Sequence, residues 1–208
     1  MTLNEATLVD GVTRLCDRDA DLRSIFVRWG HPPMWAREPG FPTLLYIILE
    51  QQVSLASARA AYDRLVETIG VPTPEAFLDV SDGSLKAIGF SRQKARYCRL
   101  LAESILIRKL DLATLTALSD DAVRSELTSI KGIGPWTADI YLLMALRRPD
   151  IWPTGDMALA TAVRRVKGLD SRPSPNELNI IAANWRPWRS VAARLLWHYY
   201  LSESDVRI

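Results

Sequence analysis

Along most of the chain, hydrophobic residues recur at the three- and four-residue spacing of amphipathic helices, and the alternating pattern of β-strands is nearly absent. The segment 41–52 is apolar on most sides of a helix, which predicts a central position in the fold. Asn4, Ser54 and Ser91 stand where a side-chain oxygen can cap the first turn of a helix. Helices are predicted at 4–15, 22–29, 41–52, 54–69, 75–78, 84–88, 91–107, 119–130, 135–147, 156–167, 175–185 and 188–202. The pattern therefore predicts an all-α fold.

Composition and charge narrow the class of protein. With 208 residues, 48% of them hydrophobic, the chain suits one compact domain or two lobes that share a core. The net charge is only +2, but most of the cations are Arg, which favours phosphate binding over general solvation. Cys16 and Cys98 are too few to ligate an iron–sulfur cluster or a structural zinc.

The first residues and the apolar runs of the sequence indicate the cellular compartment in which the protein is expected. The first residues lack the basic and apolar regions of a secretory signal, and the apolar run 44–49 is too short to span a membrane. We therefore expect a cytoplasmic protein, nucleoid-associated if the source is bacterial, with no membrane partner. A monomer is the default expectation for its oligomeric state.

The most informative local pattern is a glycine turn between two predicted helices, residues 130–135 with the sequence IKGIGP. Gly132 and Gly134 permit backbone angles that a side chain would forbid, and they allow another backbone to come close. The proline suits the first position of the next helix, whose unpaired N–H groups favour an anion. We therefore expect the turn to hold a nucleic-acid backbone.

This turn resembles a helix-hairpin-helix element, and about twenty residues later the chain reads WPTGD at 152–156. A hairpin, a loop and an aspartate at that spacing resemble the helix-hairpin-helix-GPD superfamily of DNA glycosylases. The stretches ILEQQVS at 48–54, GIGPWTA at 132–138 and WRPWRS at 185–190, followed by Trp197, are most similar to its alkylation-repair branch, the 3-methyladenine DNA glycosylase II family. The resemblance covers roughly residues 32–200.

The resemblance implies an all-α helix-hairpin-helix DNA glycosylase fold over residues 1–208. It implies two helical lobes, approximately 36–115 and 1–35 plus 116–208, which flank a DNA-binding groove with Asp156 at the mouth of the pocket between them. No N-terminal β domain is expected, because two predicted helices take up the residues before the helix that begins at 41. The implied partner is double-stranded DNA that carries a damaged base.

Asp156 matches the family's essential aspartate. Cleavage of an N-glycosidic bond builds oxocarbenium character on the deoxyribose, and a fixed carboxylate stabilises that charge or orients a water for attack. The alternative is structural, since Asp156 also stands where it can cap the following helix.

The resemblance makes Trp136, Trp197 and Trp35 candidates for the base pocket, where electron-rich rings attract the positive charge of an alkylated purine. Trp35 is equally consistent with core packing. Ile140 stands where the best-known bacterial member carries a tyrosine, and Met157 where an aromatic residue could stand. The pocket is therefore expected to be less aromatic than in that relative.

Trp136 also stands where the bifunctional relatives carry a lysine that forms a Schiff base. Tryptophan cannot act as that nucleophile, which predicts a monofunctional enzyme without lyase activity. Gln52 stands where the family carries a wedge side chain that fills the gap left by a flipped base. The alternative is that Gln51 and Gln52 merely cap a helix end.

The resemblance also implies that a DNA phosphate is bound by the backbone N–H groups of Gly132 and Gly134, with Lys131 and the Thr137 hydroxyl as further contacts. In this family a monovalent cation joins hairpin carbonyls to that phosphate. By position the ligands for Na⁺ or K⁺ are the backbone carbonyls of Thr128, Ile130 and Ile133. We expect no cofactor for catalysis and no iron–sulfur cluster.

The resemblance thus predicts hydrolysis of the N-glycosidic bond of alkylated purines, of the 3-methyladenine and 7-methylguanine type, by base flipping in base excision repair. Three alternatives stay open. They are a glycosylase of the same fold with another base specificity such as uracil, a non-catalytic helix-hairpin-helix DNA-binding protein, and a helical interaction protein whose glycine turn is an ordinary helix connection.

Overall fold

The computed structural model describes residues 2–203, which fold into twelve α-helices and one 3₁₀ helix with no β-strand. The predicted all-α fold class is confirmed. In chain order the helices are α1 (Glu5–Arg18), α2 (Ala20–Trp29), α3 (Phe41–Glu50), α4 (Leu55–Ile69), α5 (Pro74–Leu78), α6 (Asp82–Ala87), α7 (Arg92–Leu106), α8 (Asp120–Thr128), α9 (Pro135–Met144), α10 (Met157–Val166), α11 (Pro175–Ala183) and α12 (Arg189–Glu203), and the 3₁₀ helix is Thr114–Ala117. None of the helices within residues 2–203 has the length and hydrophobicity that crossing a bilayer requires.

Side-chain caps begin several helices where the sequence predicted them. Asn4, Ser54 and Ser91 each accept a hydrogen bond from the backbone N–H three residues later, at 2.9, 3.2 and 3.2 Å. The second helix begins at Ala20, two residues before the predicted start, because the Asp19 carboxylate caps it. These caps satisfy N–H groups that a helix leaves unpaired in its first turn.

Residues 2–36 and 142–203 form one compact unit. Within it α12 packs against α1, α2 and α10, and residues 190–197 of α12 are all buried. Lys167, just after α10, forms ion pairs with Asp19 and Asp21 at the start of α2, both at 2.8 Å. The centre of this unit is therefore α12, with a polar contact that joins α10 to α2.

Residues 37–141 form the second compact unit. Here α3 packs against α4 and α7, and most of its residues are buried, as its apolar sequence predicted. The ring of Phe77 lies between two others, with centroid distances of 6.0 Å to Phe41 and 5.8 Å to Phe90. The core of this unit is thus built on α3.

The segment 116–141 belongs to the second unit, whereas the resemblance implied a lobe formed by residues 1–35 and 116–208. Arg124 on α8 pairs with the buried carboxylate of Asp139 on α9 at 2.6 Å. Gln51, next to the end of α3, donates to the Gly132 carbonyl between α8 and α9. The division of a chain into units depends on such long-range contacts, and local sequence patterns do not reveal them.

Candidate active site

Asp156 is the N-terminal cap of α10 and is nearly buried, with 9% of the residue exposed. Its Oδ1 atom accepts a hydrogen bond from the Leu159 N–H at 2.9 Å and another from the Trp197 Nε1–H at 3.3 Å. The capping function considered from the sequence is therefore present, and the same oxygen is also bound by an indole of α12. Two donors on one oxygen fix the orientation of the carboxylate, as stabilisation of a developing positive charge requires.

Two of the three predicted pocket tryptophans lie in the same unit as Asp156. Trp197 is buried and bonds to Asp156, so the structure brings these two residues together. Trp35 is half-buried, and its ring lies edge-on to that of His198 with the centroids 6.5 Å apart. Its φ of 46° is left-handed, a conformation that bulky residues rarely adopt and that clusters at ligand sites. The assignment of Trp35 to the base pocket stays a prediction beside the alternative of core packing.

Trp136 lies in the other unit, near the start of α9, and is half-buried. Its assignment to the base pocket stays a prediction. Of the two positions expected to reduce the aromatic character of the pocket, Ile140 is a core residue and Met157 is 60% exposed.

A buried arginine outside the predicted site residues supports the region around Trp35. Arg194 is fully buried and donates to the carbonyl oxygens of Met34 at 2.8 Å, Leu143 at 2.9 Å and Ser190 at 3.1 Å. Burial lowers the pKa of Arg194 to about 10, which still leaves it a cation at neutral pH. Because Met34 precedes Trp35, this cation holds the segment that carries the tryptophan. The signal in the sequence was a single arginine within the apolar stretch of α12.

The segment 129–134 between α8 and α9, hereafter the hairpin, contains two glycines in different surroundings. Gly132 has a φ of 103°, and a Cβ atom there would lie 2.6 Å from the Cβ of Tyr97, so only glycine fits. A Cβ at Gly134 would meet no atom of the described residues within 4 Å. Lys131 is exposed beside the turn. Gly132 therefore serves the turn itself, while Gly134 and Lys131 are accessible to a phosphate.

The Thr137 side chain lies inside the protein. The residue is 1% exposed, and its Oγ1 accepts a hydrogen bond from Gln51 Nε2 at 2.9 Å. The same amide nitrogen donates to the Gly132 carbonyl at 3.0 Å. The predicted phosphate contact through the Thr137 hydroxyl is therefore replaced by an internal one. A helix start favours an anion through its backbone N–H groups and its dipole, so the start of α9 still suits a phosphate.

The segment 51–54 between α3 and α4, hereafter the wedge turn, carries Gln52 on the surface. Gln52 has a left-handed φ of 55°, which is unfavourable for a residue other than glycine and persists where the surrounding structure enforces it. Lys94 donates to the Leu49 carbonyl at 2.6 Å and so caps the end of α3. Gln51 is the C-terminal cap of α3, with its backbone N–H donating to the Ile48 carbonyl at 3.3 Å, so the capping alternative holds for its backbone. Its side chain bonds instead to the hairpin and to Thr137 at the start of α9.

The predicted cation ligands follow one another at the end of α8 and in the hairpin. Thr128 is the last residue of α8, where backbone carbonyls lack partners within the helix and carry partial negative charge. The Ile130 carbonyl also accepts a hydrogen bond from the Ile133 N–H at 3.0 Å. Carbonyl oxygens suit hard cations, so the donor set fits Na⁺ or K⁺. No group of three or more His, Cys, Asp or Glu side chains that could hold a metal occurs between residues 2 and 203.

Comparisons with known proteins place this geometry among DNA repair proteins. YfjP of Bacillus subtilis (strain 168), whose name assigns it provisionally to the DNA-3-methyladenine glycosylases, is 28% identical over 184 residues, which cover 85% of this chain and 64% of the relative. The 3-methyladenine DNA glycosylase Mag1 of Schizosaccharomyces pombe, solved in complex with abasic DNA, has a TM-score of 0.88 at 25% identity and covers 96% of this chain and 100% of its own. A DNA-3-methyladenine glycosidase of Bacillus halodurans has a TM-score of 0.75 at 28% identity, with 95% of this chain and 91% of the other covered.

The extent of the match differs between relatives. The chain spans 56% to 64% of the length of three curated relatives. The model of the HhH-GPD superfamily base excision DNA repair proteins matches residues 45–189, which is more than half of the chain and includes both the hairpin and Asp156. The chain therefore belongs to the HhH-GPD superfamily of base excision DNA repair proteins.

Proposed function

We propose that the chain is a monofunctional DNA glycosylase that hydrolyses the N-glycosidic bond of alkylated purines, of the 3-methyladenine and 7-methylguanine type, in double-stranded DNA. The observation that carries the proposal is the nearly buried carboxylate of Asp156, bound by the Leu159 N–H and the Trp197 indole. Relatives named as DNA-3-methyladenine glycosylases support the substrate class. In this proposal the enzyme acts as a monomer in the cytoplasm, at the nucleoid in a bacterial cell.

The chemistry requires a fixed negative charge beside the deoxyribose. As the C1′–N bond breaks, positive charge builds on the sugar, and the Asp156 carboxylate stabilises it. An N3- or N7-alkylated purine is already cationic, so it leaves as a neutral base with the bonding electron pair. Water adds to C1′ and loses a proton, which leaves an abasic sugar in an intact strand. The hydrogen bond from Trp197 keeps the carboxylate oriented during these steps.

Selectivity for alkylated bases follows from charge. The face of an indole ring attracts a cation, so tryptophans that line a pocket favour a positively charged purine over a neutral one. Trp35, half-buried with a left-handed backbone, and Trp197 supply such rings in the unit that contains Asp156.

The absence of strand cleavage follows from residue type at one position. A lyase needs an amine that forms a Schiff base with C1′, and Trp136 offers none. Lys131 is exposed on the hairpin, where it contacts phosphate in this proposal. Incubation of the protein with substrate DNA and borohydride should therefore trap no covalent complex. A trapped complex would overturn the monofunctional assignment.

Binding to DNA uses the hairpin and the wedge turn. The backbone around Gly134 and the start of α9 receives a phosphate, assisted by Lys131. Gln52 enters the stack when the damaged base is flipped. The carbonyls of Thr128, Ile130 and Ile133 would hold a monovalent cation, which when bound supplies positive charge for the phosphate.

The test is release of bases from duplex DNA that carries methylated purines, with wild type and Asp156→Asn in parallel. Asparagine caps a helix about as well as aspartate, so this change removes the charge and keeps the cap of α10. We expect wild type to release 3-methyladenine or 7-methylguanine, and the variant to be slower by roughly 100-fold or more. Chromatography of the freed bases and heat–alkali cleavage at abasic sites provide the measurement.

The other outcomes identify the alternatives. Release of uracil instead would indicate the same fold with another base specificity. Tight, salt-dependent binding to an abasic-analogue duplex without release of any base would indicate a non-catalytic DNA-binding protein. Equal release by wild type and Asp156→Asn would remove Asp156 from the chemistry.

A further inference from the structure

The side chain of Gln51 lies between the two elements that this proposal places on DNA. Its Nε2 atom donates to the Gly132 carbonyl at 3.0 Å and to Thr137 Oγ1 at 2.9 Å. A side-chain amide nitrogen has two N–H donors, so both are used on the hairpin and the start of α9. Thr137 is 1% exposed, which shields this contact from water.

The residue that follows is the proposed wedge. Gln52 is exposed and has a left-handed φ of 55°, a conformation that needs support from its surroundings. Two contacts support the end of α3 just before it. Lys94 donates to the Leu49 carbonyl at 2.6 Å. A two-bond ion pair at 2.7 and 2.9 Å links the Glu50 carboxylate to Arg37.

Gln51 differs from these two supports in what it contacts. The lysine and the ion pair hold the end of α3 to α7 and to the segment before α3, whereas Gln51 bonds to the hairpin. Because one planar amide makes both hydrogen bonds, they fix the orientation of the Gln51 side chain and its distance from Gly132 and Thr137. The backbone of Gln52 is therefore fixed relative to the residues that receive a phosphate.

We propose that Gln51 is a positioning residue that couples the wedge turn to the hairpin. When the hairpin binds a phosphate, Gln52 is then already placed to fill the gap left by the extruded base. The inference rests on the proposed function for the identity of the two DNA-contacting elements. Without this link the hairpin still binds a phosphate, but Gln52 no longer meets the gap in the stack. Gln51 touches neither the sugar nor the base in this scheme and acts through Gln52.

The first test compares Gln51→Met with a matched control, Gln93→Met. Methionine keeps the length of the side chain and removes both donors. Gln93 also uses its Nε2 atom in a hydrogen bond, to the Tyr97 hydroxyl at 2.7 Å, but on the exposed face of α7. We expect Gln51→Met to slow single-turnover base release by about 10- to 100-fold, because a small misplacement of a positioning group is that costly. The affinity of Gln51→Met for duplex DNA should stay close to that of wild type. Gln93→Met should resemble wild type in the rate of base release and in duplex affinity.

A double-mutant cycle measures the coupling itself. Gln52→Ala should slow base release strongly in the wild-type background and only slightly when Gln51 is already Met, because the wedge is then misplaced. Additive effects of the two changes would overturn the proposal. A loss of duplex affinity by Gln51→Met that matches its loss of rate would also overturn it, since the residue would then only stabilise the hairpin.

The dependence of base release on pH tests whether position 51 must donate a hydrogen bond, because a residue with a purely structural function would not change this dependence. Gln51→Glu offers no donor while the carboxylate is ionised and one donor when it is protonated. The activity of this variant relative to wild type should therefore rise as the pH falls, while the relative activity of Gln51→Met stays constant. A constant ratio for Gln51→Glu would contradict the need for a donor at this position.

Base extrusion can also be followed without chemistry. A 2-aminopurine placed opposite an abasic analogue changes its fluorescence when a wedge enters the stack. If wild type releases no base yet gives this signal and Gln51→Met does not, the proposed function fails and the coupling stands. If wild type is active and Gln51→Met gives the same signal and rate, the coupling fails and the proposed function stands.

Discussion

At the scale of single residues, the hydrogen bond from Trp197 to Asp156 joins two positions that are 41 residues apart in the chain. Each residue could be predicted separately, Asp156 from its place after the hairpin and Trp197 from its place after the WRPWRS stretch. That the indole would hold the carboxylate could not be predicted, because it depends on the packing of α12 against α10. The consequence is that Trp197 has an orienting function in addition to any contact with a base.

Replacing Trp197 by Phe removes the indole N–H and keeps an aromatic ring. We expect the single-turnover rate of base release to fall roughly tenfold, because a hydrogen bond to a charged acceptor contributes about 1.5–3 kcal/mol and this one is long, at 3.3 Å. Trp185→Phe is the matched control, since the Trp185 indole donates to the Asp19 carboxylate at 2.8 Å in the same unit. The control should lower the thermal stability and leave the rate unchanged. A Trp197→Phe protein as fast as wild type would show that Asp156 needs no orienting donor from α12.

At the scale of elements, the hairpin shows how two similar residues acquire different functions. Both glycines were predicted to permit unusual backbone angles and a close approach. In the structure only Gly132 has a positive φ, and Tyr97 on α7 occupies the space where a side chain would be. Gly134 is open instead, which suits the approach of a phosphate.

Substituting each glycine by alanine separates the two functions. Gly132→Ala should lower the free energy of unfolding by at least about 2 kcal/mol, through backbone strain and the collision with Tyr97. Gly134→Ala should change it by less than about 0.5 kcal/mol. The added methyl group should nevertheless weaken the affinity for duplex DNA. Denaturant titration and fluorescence anisotropy provide the two measurements, and undiminished affinity of Gly134→Ala would place the phosphate elsewhere.

At the scale of the whole molecule, each compact unit contains a partly buried ion pair that joins two of its helical elements. Asp19 and Lys167 bring the start of α2 to the end of α10 in one unit, and Arg124 and Asp139 join α8 to α9 in the other. Burial alone would raise the pKa of the Asp19 carboxyl, but hydrogen bonds from Lys167 and Trp185 outweigh burial and lower it. Burial likewise opposes the charge of Lys167, yet its hydrogen bonds to Asp19 and Asp21 raise its pKa.

These shifts define the pH range in which the pair stabilises the fold. The folded pKa of Asp19 lies below its unfolded value of about 3.9, so its contribution is present above that pH and is lost as the pH falls through the folded pKa. The folded pKa of Lys167 lies above its unfolded value of about 10.4, so its contribution is present below that pH and is lost as the pH rises through the folded pKa. The ion pair of Asp19 and Lys167 is therefore expected to make its full contribution to the free energy of unfolding from about pH 5 to pH 9.

Asp19→Asn should lower the free energy of unfolding by about 1–3 kcal/mol at pH 7, because it removes one of the two carboxylates paired with Lys167 and the charged acceptor of the Trp185 indole. The difference from wild type should shrink as the pH falls below 4. Asp10→Asn is the control, since its partner Arg14 is exposed and the pair should have no measurable effect. Denaturant titrations across the pH range test this prediction, and a difference that stayed constant down to pH 2 would contradict it.

The helices of this protein and the residue types of its candidate site could be predicted from sequence patterns. Helix periods and the caps at Asn4, Ser54 and Ser91 are local signals, because each acts on residues only three or four positions away. The hairpin glycines and Asp156 were predicted instead from the order and spacing of motifs, about twenty residues apart. The buried position of Thr137 and the contacts made by Gln51 and Arg194 depend instead on how the helices pack. Gln51 bonds to a residue 81 positions away and Arg194 to one 160 positions away. Such hydrogen bonds exist only after the helices pack, so no periodicity in the sequence encodes them.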